Sequence, residues 1–84
     1  MEFTLGTHDE LSDSERLQKL SEQFSLTPIE AEVFGMLVNT DDGLQTIADR
    51  LYVSGRTLER YVSALYEKTG AKSRIGLVSL YNAI

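Results

Sequence analysis

Five times in this chain a short polar residue stands just ahead of an apolar repeat of helical period. That punctuation restricts the fold more than any other feature. Ser12 is followed three residues later by Glu15, and Thr27 by Glu30. At this spacing the cap oxygen accepts an N–H of the first turn while the glutamate reaches back to the cap's own N–H. Pro28 suits the first helical position, where no N–H is needed. Asp42 with Gln45 offers a third capping pair, and Ser54 and Ser73 are two further N-cap residues. Behind them run the apolar sets Leu17, Leu20, Phe24; Val33, Phe34, Leu37, Val38; Leu44, Ile47, Ala48, Leu51; Leu58, Val62, Leu65; and Leu77, Val78, Leu80, Tyr81, Ile84. The stops are equally local. Asn39 to Gly43 make a turn, Tyr52-Val53-Ser54 a tighter one, and Gly70 suits a left-handed C-cap. The spacing predicts helices over 12–24, from Pro28 to about 39, over 43–52, over 55–69, and from Ser73 to the end.

No segment alternates with period two, so the expected class is all-α. Eighty-four residues make one domain with a modest core. Without cysteine the chain has no disulfide, thiolate metal site or sulfur nucleophile. No apolar run approaches the roughly 18–20 residues of a membrane span, and no signal-peptide pattern opens the chain, so a cytoplasmic protein without membrane contact is the default expectation. Residues 1–11 lack a helical period and read as a flexible lead-in. His8, the one histidine, lies there without convergent partners for metal or acid–base work. There is no phosphate-cradling glycine loop and no nucleophile paired with a base, so neither enzyme activity nor a cofactor is expected.

The net charge of −5 argues against a polyanion partner until its distribution is considered. Residues 1–24 hold six carboxylates against Arg16 and Lys19. Residues 50–74 reverse this, with Arg50, Arg56, Arg60, Lys68, Lys72 and Arg74 against Glu59 and Glu67. A basic stripe survives where the third and fourth predicted helices meet at a short turn. Such a pair, about 43–69, has helix-turn-helix geometry, and a lone helix fits the B-DNA major groove. Its amino-terminal half would present Arg56, Thr57, Glu59, Arg60 and Ser63 to base edges. Arginine can bind guanine O6 and N7 together, glutamate can accept from cytosine N4, and serine is tolerant. The same charges could equally be a solvated face. Tyr52, Tyr61, Tyr66 and Tyr81 could stack on bases, but at helical spacing they are expected as half-buried rim residues of the core.

Three runs sharpen this. Leu26-Thr27-Pro28-Ile29-Glu30-Ala31-Glu32-Val33-Phe34, then Ile47-Ala48 with Leu51, Ser54, Thr57 and Leu58, then Lys68-Thr69-Gly70-Ala71-Lys72-Ser73-Arg74 resemble, in register and without insertion, LuxR-type (NarL/FixJ-type) helix-turn-helix domains of bacterial transcription regulators. The resemblance implies a four-helix domain over 25–84, here preceded by an extra amphipathic helix over 12–24. It implies double-stranded DNA as partner, a homodimer through the last helix, and the role of output domain to a sensing part outside these residues. It places Glu59, Arg60 and Ser63 at base-facing positions, and Ser54, Thr57, Lys68 and Lys72 near phosphates. Arg74 is expected chiefly as an anchor between the recognition helix and the last one, with phosphate contact as the alternative.

The departures from the family pattern are as informative. Glu59 stands where a lysine or arginine is usual, Tyr61 replaces a histidine, and Ile29 replaces an arginine. The acidic turn from Asp41 lacks the usual positive residue. Ile29 could receive Leu17, Leu20 and Phe24 from the extra helix, or simply stand exposed. Two other readings remain at this point: an interaction or dimerisation module that keeps the fold with little DNA affinity, and the promoter-binding region of a sigma factor. The stretch from Lys68 to Arg74 and the added last helix argue against the sigma factor.

Overall fold

The computed structural model describes residues 12–84; the expected lead-in and His8 lie outside the described residues. Those described are all-helical, in the order α1 (Asp13–Phe24), α2 (Pro28–Asn39), α3 (Leu44–Leu51), α4 (Gly55–Thr69) and α5 (Arg74–Asn82). Four of the five starts form as the caps dictate. Ser12 Oγ accepts from Glu15 N at 3.2 Å while Glu15 Oε1 accepts from Ser12 N at 2.9 Å. Thr27 and Glu30 repeat that reciprocal pair at 3.3 and 2.9 Å. Ser54 and Ser73 accept from Thr57 N and Gly76 N at 3.1 and 3.2 Å.

The exception is α3. Its N-cap is Gly43, with no side-chain bond, so the expected Asp42–Gln45 capping pair does not form. The backbone of Asp42 is held by the turn instead: its N–H donates to Thr40 Oγ1 at 3.2 Å and its carbonyl accepts from Arg74. Gln45 turns along its own helix to donate to Asp49. Leu44, expected on the inner face, is exposed at the start of α3.

The core is built from Leu20 of α1, Val33, Phe34 and Leu37 of α2, Ile47 and Ala48 of α3, Leu58, Val62 and Leu65 of α4, and Leu77 of α5. Burying each of the larger side chains contributes about 1.5–3 kcal/mol. The second helix lies at the centre, packed against α1, α4 and α5, while α3 packs on α4. The first helix docks through its apolar stripe, as an isolated short amphipathic helix must. Its close crossing falls at Gly35, where an added Cβ would stand 2.9 Å from Leu17 Cδ1. Ile29 is half-buried and is not among the hydrophobic residues packed against the core cluster.

The first helix also grips the end of α5. Arg16 Nη1 donates to the Tyr81 carbonyl at 2.9 Å, and its guanidinium lies 5.2 Å from the Tyr81 ring centroid. A cation there suits the negative end of α5. Asp13 accepts from Asn39 Nδ2 at 2.6 Å and from the Tyr81 hydroxyl. Burial, then the Asp13 carboxylate, pushes the Tyr81 phenol above its ordinary pKa. No helix among the described residues is long and apolar enough to cross a membrane.

Candidate nucleic-acid interface

The pair α3–α4 is joined by Tyr52-Val53-Ser54, a turn that works because Tyr52 adopts the left-handed conformation at φ 59° and ψ 41°. Its neighbour's N–H, that of Val53, returns to the Ala48 carbonyl at 3.1 Å and closes the end of α3. A left-handed conformation costs a residue with a Cβ about 1–2 kcal/mol. The Tyr52 side chain is 95% exposed, so packing offsets none of that cost, and the expectation of a half-buried rim residue fails here. Tyr61, Tyr66 and Tyr81 do pack against the core as expected.

Helix α4 has two faces. Leu58, Val62 and Leu65 are buried against the domain, which turns Arg56, Glu59, Arg60, Ser63 and Glu67 to solvent. These five, with Ala64, line one shallow surface depression. The ion pairs formed among the described residues, Arg50 with Asp42 and Lys68 with Glu30, leave Arg56, Glu59 and Arg60 unpaired. Both arginine forks and the carboxylate therefore face water with their hydrogen-bonding capacity uncommitted to one another. At the amino terminus of α4, Ser54 Oγ accepts from the Thr57 N–H and its hydroxyl donates to Thr57 Oγ1 at 3.0 Å. Both hydroxyls stand beside the positive end of the helix dipole.

The other cations of the basic stripe are placed differently. Lys68 Nζ donates to Glu30 Oε1 at 2.6 Å and to the Ser25 carbonyl at 3.2 Å, tying the end of α4 to the start of α2. Glu30 is buried. Burial pushes its carboxyl up, but the bonds from Lys68 and the Thr27 N–H outweigh this and hold its pKa below the ordinary value. Arg74 spends its guanidinium on three carbonyls, those of Leu37, Thr40 and Asp42, each at 2.7 Å. It is an anchor, but one that joins α5 to the end of α2 and the following turn rather than to α4. Lys72 is exposed in the α4–α5 connection.

Residue spacing alone found the outer face of α4. It missed the Lys68–Glu30 pair, whose members stand 38 residues apart, because a capping glutamate carries no local sign of a distant partner. It also missed the Arg16, Asp13 and Tyr81 cluster for the same reason. Among the described residues no group of histidine, cysteine or carboxylate side chains could hold a metal ion.

The family model of bacterial regulatory proteins, luxR family, matches residues 24–81. The match starts on the last residue of α1 and ends inside α5, so it takes in α2, α3 and α4 whole and leaves the body of α1 outside. No curated protein and no solved structure matches the chain.

Proposed function

Because this chain belongs to the luxR family of bacterial regulatory proteins, whose helix-turn-helix is a DNA-binding domain, we propose that it binds double-stranded DNA sequence-specifically with α4 in the major groove. The observation that carries this is the two-faced α4: a buried apolar side and an outer side on which Arg56, Glu59, Arg60 and Ser63 stand together, with no ion pair among the described residues. Arginine forks match guanine O6 and N7, and serine accepts or donates as the base requires. Ser54 and Thr57 at the helix start, with Lys72 beyond its end, serve as phosphate contacts that set the register. Lys68 and Arg74 act mainly inside the fold; their positive charge reaches the backbone only as a background field.

In this reading residues 25–84 are the DNA-binding unit and 12–24 an accessory helix. The unit is the output domain of a longer regulator and acts as a homodimer on paired half-sites. Pairing through the last helix would cover Ile75, 76% exposed on α5, and the half-buried Val78 one turn on.

A second reading is favoured by one observation, the carboxylates Glu59 and Glu67 on the same outer face. An interaction module that has kept the fold would carry such charges without penalty. Titrating a random duplex at rising salt separates the two. A DNA binder loses affinity linearly in the logarithm of salt concentration. Absence of binding at low salt leaves only the interaction module.

A further inference from the structure

Glu59 is the residue on α4 that a simple electrostatic account cannot use, and its placement shows how it can be used. It is the fifth residue of the fifteen in α4, inside the amino-terminal half that reaches base edges. It is exposed, it shares a depression with Arg56, Arg60 and Ser63, and it is not among the ion pairs of the described residues. Arg56, three residues earlier, is its neighbour on the helix surface. An arginine there lowers the repulsion between the carboxylate and nearby phosphates without occupying its oxygens.

We propose that Glu59 reads the exocyclic amino group of a cytosine in the major groove, so that the half-site contains a C·G pair at the position α4 presents to it. This rests on the DNA-binding reading above. Two bases offer an amino group there. Adenine N6 lies between two acceptors, its own N7 and the paired thymine O4. The second carboxylate oxygen would face one of them. Cytosine N4 has an acceptor on one side only, the guanine O6, and a C–H on the other, so a carboxylate fits cytosine better. The guanine of the same or an adjacent pair is then available to Arg56 or Arg60. The face is thus complementary to a G·C-containing half-site rather than to polyanion in general. Glu59 lowers affinity for random sequence while it selects among sequences.

The test is selection from a random duplex pool by the 84-residue chain and by its Glu59→Gln and Glu59→Ala variants, with thermal melting to show that all three fold. The wild type is expected to enrich cytosine about tenfold over other bases at one position of the half-site. Glu59→Gln moves that position towards adenine, since glutamine pairs with N6 and N7. Glu59→Ala erases the preference there and binds random duplex more tightly. Variants that bind all sequences more tightly with an unchanged base profile would overturn the proposal, because Glu59 would then only repel, while DNA binding itself would stand. No enrichment by the wild type, with no salt-sensitive binding, would remove the DNA-binding reading and this proposal with it.

Discussion

Four of the six cations between residues 50 and 74 divide into two pairs that look alike in the sequence. Arg56 and Arg60 stand on the outer face of α4 with no ionic partner among the described residues. Lys68, two helix turns further on, and Arg74, beyond the connection, are bonded to partners within the fold. One neutralises a buried carboxylate and the other closes the carbonyls at the end of α2. The first pair is available to a ligand and contributes little to the fold. The second holds helices together and has little left to offer a ligand. A basic stripe is therefore not a measure of contact surface until each charge has been assigned its partner.

That contrast can be broken or sharpened by substitution. Arg74→Ala is expected to have the largest effect on stability. Three charge-assisted bonds to backbone carbonyls are lost, and the Leu37 carbonyl loses a partner inside the fold. A loss of about 3 kcal/mol is expected in chemical denaturation, a large share of the stability of a domain this small.

Glu30→Gln comes next, at about 2 kcal/mol, because the Lys68 ammonium loses its counter-charge although it can still turn to water. Here the pH dependence is diagnostic. The folded-state pKa of Glu30 lies below that of the unfolded chain. Its contribution is therefore complete above the unfolded value of about 4.3 and is lost as the pH falls through the folded value. Acid denaturation curves of the wild type and of Glu30→Gln should approach one another as the pH falls below the unfolded value and converge below the folded-state pKa of Glu30.

Tyr52→Gly should act in the opposite direction. It removes about 1–2 kcal/mol of left-handed strain and adds back roughly 0.5–1 kcal/mol of chain entropy. A small rise in thermal midpoint is expected. A fall would mean that the exposed ring is held by something beyond its own backbone.

How much of this could be seen beforehand follows from the range of each interaction. The starts of α1, α2, α4 and α5 were legible because a cap oxygen and the N–H that donates to it lie within four residues. The outer face of α4 was legible because helical period alone sorts Arg56, Glu59, Arg60 and Ser63 from Leu58, Val62 and Leu65. The start of α3 lies one residue beyond the Asp42–Gln45 spacing, in a turn where Arg74, thirty-two positions away, binds the Asp42 carbonyl. Leu44 and Tyr52 were assigned towards the core from period, yet each sits at an end of α3 where the neighbouring helices no longer cover it. The partner of Lys68 and the crossing of Leu17 over Gly35 are tertiary facts with no local signature.

Arg60→Ala tests the division of the stripe most directly. Its side chain is exposed and forms no ion pair among the described residues, so the stability change should stay within about 0.5 kcal/mol. Its binding should change where Arg74→Ala changes folding. Measured against a panel of half-site duplexes with every single-base change, the variant is expected to lose discrimination at one base position, at about 1–3 kcal/mol, and to keep it elsewhere. An unchanged binding profile, or a fall in stability as large as that of Arg74→Ala, would contradict the assignment of the outer face of α4 as the DNA-reading surface.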